Sequence, residues 1–262
     1  MRNDSATQKR WLEQIFNQYH DRQYVSYDPL GVVIRHDRPA DREVVGLIAA
    51  LLAYGNVKAM LTGIESVVER LGPNPADQLA EWSAGQINRR FANFRYRVTD
   101  DLAMAGLLGG IAALRDRHGS LHAAFSQHIA PDHDDILPAA SAWRAELVHA
   151  ADHPLNHLLP DPAKGSACKR LMLYLRWMVR RDAIDPGDWP GIDPALLIAP
   201  VDTHLHRLAL ELGWTKRKQI TLATAREVTA ALRRFDPADP LRFDFSLTRP
   251  GILKHSPWQI NE

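Results

Sequence analysis

The segment EVVGLIAALLAY, residues 43–54, is apolar on nearly all sides when it is wound at 3.6 residues per turn. Such a helix needs neighbours on every side, so the pattern predicts a central buried helix that begins after an N-cap at Asp41 and ends at Tyr54. Other segments also repeat apolar residues at helical spacing, and no convincing alternation of apolar and polar residues predicts a strand. The sequence therefore predicts an all-α fold.

Helices are also expected where apolar residues recur at intervals of three and four. These segments are residues 11–19, 57–71, 76–82, 101–118, 121–129, 136–149 and 224–235. Prolines fall between the segments and separate them. The proline-rich stretch 236–252 is predicted to be an irregular tail.

Composition limits the classes of protein to which the chain can belong. Its 262 residues, 45% of them hydrophobic, can bury one substantial core or two modest ones. The formal net charge is only +1, so any binding to nucleic acid must depend on local basic patches. The single cysteine excludes an internal disulfide and fits a reducing compartment. The N-terminus lacks a signal peptide's apolar core, and no apolar run could cross a membrane, which together predict a cytoplasmic protein.

A basic helix is predicted in the segment KGSACKRLMLYLRWMVRRD. Gly165 and Ser166 supply a turn and a candidate N-cap, and Lys169 falls in the first turn. Lys169, Arg176 and Arg180 share a face away from the apolar stripe of this helix. The helix is therefore expected to present a basic row to an anionic ligand.

A second helix is predicted in VDTHLHRLALELG, where the leucines follow helical spacing and Gly213 is the candidate C-terminal cap. Asp202 and Thr203 are both suitable N-cap residues, and Pro200 ends the apolar run before them. We therefore expect the Asp202 carboxylate at the N-terminus of a helix.

These two segments resemble parts of a known superfamily. VDTHLHRLALELG resembles the segment that carries the catalytic aspartate in helix-hairpin-helix DNA glycosylases of the endonuclease III superfamily. SACKRLMLYLRWMVRRD resembles the helix after the hairpin, whose early lysine is the nucleophile of the bifunctional members. Lys169 and Asp202 lie 33 positions apart, a spacing closer to that of the archaeal 8-oxoguanine DNA glycosylase than to that of endonuclease III. AALLAYGNVKAML, FRYR and PVDTHLHR extend the likeness to a related bacterial family of unassigned function.

The resemblance implies a two-lobed helical fold with a cleft between the lobes. Residues 41–182 would form the lobe that carries the helix-hairpin-helix, and residues 1–40 and 183–262 would form the second lobe. Lys169 would be the nucleophile and Asp202 the catalytic aspartate, facing each other across the cleft. Lys164 is the other lysine near the hairpin, but it precedes the turn, which favours Lys169.

The resemblance also implies contacts with DNA and with a flipped base. Base recognition is expected from Tyr54 and Asn56, in the loop after the buried helix, and from Asp244. Contacts with the DNA backbone are expected from the hairpin and the basic helix, namely Lys164, Gly165, Ser166, Arg170, Arg176 and Arg180. The segment FANFRYR alternates aromatic and basic side chains, a pattern that suits base stacking with phosphate contact.

The chemistry of base removal explains these residue types. Breaking an N-glycosidic bond builds positive charge on the sugar, which a fixed carboxylate such as Asp202 stabilises. An amine that attacks C1′ forms a Schiff base, which opens the route to strand cleavage by β-elimination. The attacking amine must be neutral, which requires desolvation and neighbouring cations such as Arg170.

We therefore expect a bifunctional DNA glycosylase and AP lyase that acts as a monomer on oxidised guanine, chiefly 8-oxoguanine, in double-stranded DNA. No cofactor and no metal ion are expected. A glycosylase for another base, or a non-catalytic helix-hairpin-helix DNA-binding protein, is the alternative. A further alternative is a metal-dependent hydrolase centred on Asp202, His204 and His206. However, residues two apart on a helix point about 200° away from each other, so the two histidines are not expected to share an ion.

Overall fold

The computed structural model describes residues 4–155, 157–253 and 255–258, and this part of the chain is mostly helical. The helices are α1 (Ser5–Tyr19), α2 (Leu30–Val33), α3 (Pro39–Leu51), α4 (Val57–Leu71), α5 (Pro75–Glu81), α6 (Ala84–Phe91), α7 (Asp101–His118), α8 (Leu121–Ser126), α9 (Leu137–Ala150), α10 (Lys169–Val179), α11 (Thr203–Leu212), α12 (Leu222–Arg233) and α13 (Asp244–Leu253). The strands β1 (Arg95–Tyr96) and β2 (Thr99–Asp100) form a short antiparallel hairpin. The prediction of an all-α fold is confirmed.

The central helix is α3, whose residues 43–51 are all buried. Its main partner is α10, and Gly46 allows the side chains of Tyr174 and Met178 to approach the α3 backbone. Each leucine or isoleucine buried in this interface contributes roughly 1.5–3 kcal/mol to stability. The predicted N-cap was wrong, because α3 begins at Pro39 and the Asp41 carboxylate accepts the N–H of Ala76 instead. Asp41 therefore ties α3 to the start of α5.

Helix α13 lies in the stretch that was predicted to be irregular. It contains Pro250, which removes a backbone donor and disfavours a helix locally. Its apolar residues Phe245 and Leu247 are buried, and the helix packs against α1 and α11. Burial against these helices outweighs the local cost of the proline. As a result, the two ends of the chain meet around α11.

Helix α6 was also absent from the sequence prediction. It begins with a capping box, in which the Ser83 hydroxyl accepts the Gln86 N–H and the Gln86 side chain accepts the Ser83 N–H. Within residues 4–155, 157–253 and 255–258, no helix combines the length and apolar character that a bilayer crossing requires.

Candidate active site

A cleft of about 610 Å³ is lined by the N-terminal ends of α10 and α11, the loop after α3, and one side of α13. Its polar lining includes Lys169, Asp202 and Asp244, which are three of the residues that the sequence analysis selected. Tyr54 contributes an aromatic wall. The fold therefore gathers on one cavity residues that are far apart in the chain.

Lys169 is the first residue of α10 because the chain turns sharply just before it. Gly165 has φ 80°, and Cys168 has φ 44° and ψ 39°, a left-handed conformation that is costly for a residue with a side chain. The predicted turn is present at Gly165, but the predicted N-cap at Ser166 was wrong: the Ser166 hydroxyl accepts the Cys168 N–H, and no described side chain caps α10. The first-turn N–H groups of α10 are therefore left without a side-chain cap among the described residues.

Cys168 is the other nucleophilic side chain at this turn. Its thiol is buried and its Sγ contacts the Pro160 carbonyl oxygen at 3.4 Å. Burial raises the pKa of the Cys168 thiol, which disfavours the thiolate form. Lys169 is therefore a better candidate than Cys168 for a nucleophile at the N-terminus of α10.

Asp202 is the N-cap of α11, as predicted. Its Oδ1 accepts the N–H groups of His204 at 2.9 Å and Leu205 at 2.8 Å, and the helix ends at Gly213 in the left-handed region. The other oxygen, Oδ2, lies 3.7 Å from the Lys169 Nζ. The Lys169 side chain is 36% exposed and the Asp202 side chain is 17% exposed. The structure thus brings together the two residues that were predicted to be catalytic.

Tyr54 lines the cleft with its ring, while its hydroxyl is already engaged. The hydroxyl lies 2.7 Å from the Thr99 Oγ1 and donates to the Tyr96 carbonyl at 3.1 Å, and the Tyr96 hydroxyl donates to the Tyr54 carbonyl. The Arg170 guanidinium lies 5.1 Å from the centre of the Tyr54 ring. The rings of Tyr96 and His157 also lie 5.0 Å and 5.4 Å from the Tyr54 ring, so Tyr54 is fixed by the β1–β2 hairpin and its neighbours at the wall of the cleft.

Asn56 does not line the cleft. Its Oδ1 caps α4 by accepting the N–H groups of Lys58 and Ala59. The residue borders a neighbouring groove of about 550 Å³ between α4 and the hairpin, which Lys58 and Arg95 also line. The predicted contact of Asn56 with a base therefore has no support from its position.

The hairpin residues divide into two groups. Phe94 and Tyr96 are buried against the protein, so the expectation that they stack on bases was wrong. Arg95 and Arg97 are exposed, and they remain available for contact with an anion. The aromatic residues belong to the core because they anchor the hairpin on α4 and on the Tyr54 loop.

Asp244 lies at the start of α13 and is 2% exposed. Its Oδ2 accepts a hydrogen bond from the Arg176 Nη1 at 2.5 Å, whereas its Oδ1 is buried and has no hydrogen-bond partner among the described residues. Burial raises the pKa of Asp244 from its ordinary value, and the neighbouring Arg176 opposes this shift. Asp244 thus offers an unsatisfied acceptor at the wall of the cleft.

The predicted basic row on α10 was wrong for two of its three members. Arg176 and Arg180 are each 3% exposed, and both are paired with carboxylates. Arg180 contacts Asp182, Asp185 and Asp239, so neither arginine is available to bind DNA phosphate. Both guanidinium groups hold the C-terminal half of α10 within the protein.

The other predicted DNA contacts lie around the turn before α10. Lys164 and Gly165 are exposed and Ser166 is half-buried, and Lys164 does not line the cleft. Arg170 donates to the Leu51 carbonyl at 2.8 Å and to the His157 carbonyl, which fixes α10 to the end of α3. Arg170 therefore links two helices through its hydrogen bonds, and it also lines the cleft.

Two histidines follow Asp202 on α11, and their positions differ. A ring nitrogen of His206 lies 2.8 Å from the Arg217 carbonyl oxygen, whereas His204 lines the cleft beside Gly251. In the described part of the chain, no group of three or more His, Cys, Asp or Glu side chains is arranged to hold a metal ion.

Comparison with known proteins completes the description of the site. No curated protein and no solved structure matches the chain significantly. The model of one family, described as a protein of unknown function (DUF2400), matches residues 28–253, a span that contains α3, Lys169, Asp202 and Asp244. Because this match covers most of the sequence, the chain belongs to the DUF2400 family.

Proposed function

We propose that the protein is a DNA glycosylase with AP lyase activity that removes oxidised guanine, chiefly 8-oxoguanine, from double-stranded DNA. The observation that carries the proposal is the distance of 3.7 Å between the Lys169 Nζ and the Asp202 Oδ2 at the wall of a cleft. Each of the two residues lies at the N-terminus of a helix that lines the cleft. The lysine amine can attack the sugar, and the carboxylate beside it can stabilise the positive charge that develops on the sugar.

The reaction begins when the lone pair of the Lys169 Nζ attacks C1′ of the damaged nucleotide. The N-glycosidic bond breaks and the base leaves with the bonding electrons, while Asp202 stabilises the positive charge on the sugar. Loss of one amine proton and cleavage of the C1′–O4′ bond, with O4′ taking up a proton, give a protonated Schiff base. Removal of a C2′ proton then expels the 3′ phosphate by β-elimination. Because Lys169 is 36% exposed in the free protein, bound DNA must supply the desolvation that favours the neutral amine.

The electrostatics around the cleft support binding to DNA. The N-terminus of α10, which no described side chain caps, carries partial positive charge at the cleft, which attracts phosphate. Lys164 lies before α10, and Lys58 and Arg95 line the groove beside the hairpin. Basic side chains therefore lie at the turn before α10 and along the neighbouring groove, although the net charge of the chain is only +1.

Tyr54 and Asp244 support recognition of a flipped guanine-type base. The Tyr54 ring offers a stacking face, and the free Asp244 Oδ1 accepts N–H groups. The Watson–Crick edge of guanine carries N–H donors at N1 and N2, and oxidation at C8 adds another at N7. We therefore assign the unpaired Asp244 oxygen to one of these N–H donors of an oxidised guanine.

The remaining parts of the proposal are a two-lobed arrangement and action as a monomer in the cytoplasm. In this arrangement residues 41–182 form one lobe and the two ends of the chain form the other. The packing of α13 against α1 and α11 supports the second lobe.

Borohydride trapping tests the proposed chemistry. The protein is mixed with duplexes that carry 8-oxoguanine, an oxidised pyrimidine or an abasic site, and a covalent adduct is sought on a denaturing gel. An adduct with 8-oxoguanine that is lost in Lys169→Gln and kept in Lys216→Gln would support both the reaction and the nucleophile. Lys216 is the matched control because it is an exposed lysine that lines neither the cleft nor the groove beside the hairpin.

The other outcomes distinguish the alternatives. Trapping on the abasic site alone would point to another damaged base. No adduct, with duplex binding intact, would favour a monofunctional glycosylase or a helix-hairpin-helix binding protein, and a base-release assay would separate these two. Loss of activity in a chelator would favour the metal-dependent hydrolase.

A further inference from the structure

A buried charged cluster lies behind the cleft. We define it by its members, which are Arg176, Arg180, Asp182, Asp185, Asp239 and Asp244. Arg176 joins the cleft to the rest of the cluster, because it contacts both Asp244, which lines the cleft, and Asp185, which does not. The cluster therefore connects a candidate base-recognition residue with the interior.

The Arg176 guanidinium has a fixed orientation. Its Nη2 and Nε donate to the Asp185 Oδ1 at 3.0 Å and 3.3 Å, and its Nη1 donates to the Asp244 Oδ2. Asp185 is held in turn by Arg180, which donates to its other oxygen. A planar guanidinium that is hydrogen-bonded along two edges cannot rotate freely. Because Asp244 is bonded to this guanidinium, the Asp244 carboxylate also has little freedom to rotate.

The orientation of Asp244 determines which oxygen remains for a ligand. Its Oδ2 is used by Arg176, so its Oδ1 is the acceptor without a partner among the described residues. A buried acceptor of this kind lacks a hydrogen bond until a ligand or a water molecule supplies a donor, and Asp244 lines the cleft in which a ligand would bind.

We infer that Arg176 is a positioning residue that holds Asp244 as a fixed, ionised acceptor for the N–H groups of the bound base. The inference rests on the proposed function, and it explains why an arginine on the predicted basic face is buried instead of contacting DNA. Arg176 itself acts through Asp244.

The charges around Asp244 indicate what removal of Arg176 does. Burial, together with the carboxylates of Asp202 and Asp185, raises the pKa of Asp244, and Arg176 is the neighbouring cation that lowers it. Lys169 and Arg249 also line the cleft. Without the charge of Arg176, Asp244 becomes protonated at a higher pH, so its acceptor function is lost at a higher pH as the solution is acidified.

The test compares the pH dependence of base release in three variants. Arg176→Gln removes the charge, and we expect the acid limb of kcat/KM for 8-oxoguanine release to move up by about one to three pH units, with partial recovery at high pH. Arg176→Lys keeps the charge and is expected to leave the acid limb near its original position. Arg180→Gln is the matched control, since it disturbs the same cluster but leaves the contact between Arg176 and Asp244.

Folding is checked by far-UV circular dichroism and thermal melting, because a buried charge is left unpaired in these variants. If Arg176→Gln does not fold, Asp244→Asn replaces it, and the acid limb that belongs to Asp244 is expected to disappear in that variant. An acid limb that stays in place in folded Arg176→Gln, or that survives in Asp244→Asn, overturns the inference alone. A wild-type protein without base release on any damaged duplex overturns the proposed function and the inference with it.

Discussion

The Asp202 carboxylate has a different partner on each oxygen: Oδ1 accepts the N–H groups that begin α11, and Oδ2 lies 3.7 Å from the Lys169 Nζ. One residue thus stabilises a helix and places negative charge beside a candidate nucleophile. The two effects depend on different properties, since capping needs only an acceptor oxygen and electrostatic stabilisation needs the charge. Substitutions can therefore separate them.

Asp202→Asn is expected to keep the helix and lose the reaction. Asparagine is about as good an N-cap as aspartate, so the free energy of unfolding should change by less than about 1 kcal/mol. Base release should fall by about 10²–10³, because the charge beside Lys169 is gone. Urea denaturation and single-turnover base release measure the two effects.

Ser120→Ala is the control for Asp202→Asn. Ser120 caps α8 by accepting the Ala123 N–H, and it does not line the cleft. Its loss should lower the free energy of unfolding by about 1 kcal/mol and leave base release unchanged. Full activity in Asp202→Asn would show that the negative charge is not required.

Local sequence signals predicted α11 and its caps well because the interactions are local. Asp202 and Gly213 cap the same helix, and their partners lie within a few residues. The Arg176 and Arg180 predictions failed because their partners lie outside the helix. Asp182 and Asp185 are in the segment that follows α10, Asp244 lies 68 positions from Arg176, and Asp239 lies 59 positions from Arg180. A helical projection reveals which residues share a face, but it does not reveal that loops bring carboxylates to that face.

The same distinction explains the other differences. The start of α3 was misplaced because Asp41, a good local cap, binds the Ala76 N–H across the fold. Helix α13 was missed because tertiary packing outweighs the local effect of Pro250. Helix α6, in contrast, has a local signal in Ser83 and Gln86 that could have identified it.

Asp182→Asn should reveal how much the buried charged cluster contributes to stability. Burial by itself would raise the pKa of Asp182, but hydrogen bonds from His20, Arg180 and the N–H groups of Asp185 and Ile184 hold this pKa well below the usual carboxyl range. The variant should lose about 1–3 kcal/mol of unfolding free energy at pH 7.

The pH dependence of that loss follows from the direction of the shift. Because the pKa of Asp182 is lowered by folding, its contribution is present above the pKa of the unfolded carboxyl, near 4, and is lost as the pH falls towards the folded value. Urea denaturation at pH 7 and pH 3 should give a larger difference in unfolding free energy between wild type and Asp182→Asn at pH 7 than at pH 3. An equal difference at the two pH values would contradict the lowered pKa of Asp182 in the folded protein. Asp77→Asn, on the exposed surface, is the control and should have little effect at either pH.

Gly55→Ala should disturb the hairpin beside the cleft. Gly55 has φ 91°, and an added Cβ would lie 2.9 Å from the Arg97 Nη1 and 3.2 Å from the Tyr96 hydroxyl. Gly72→Ala is the matched control, because Gly72 has φ 83° and a Cβ there would meet no atom within 4 Å. Both variants should lose about 1–2 kcal/mol of unfolding free energy from the backbone conformation. Only Gly55→Ala should also weaken binding to duplex DNA, as measured by fluorescence anisotropy. If the two variants bind duplex DNA with equal affinity, the hairpin does not contribute to DNA binding.

Arg95→Ala tests whether DNA follows the groove between α4 and the hairpin. Arg95 is exposed and lines this groove, so its loss should remove about one phosphate contact. Affinity should fall by a similar factor for damaged and undamaged duplexes, and the slope of log Kd against log salt should decrease by about one. Arg117→Ala is the control, because Arg117 is exposed, pairs with Glu146, and lines neither the cleft nor the groove. A salt slope unchanged in Arg95→Ala would mean that the DNA backbone takes another path, leaving Lys164 and the first turn of α10 as its main contacts.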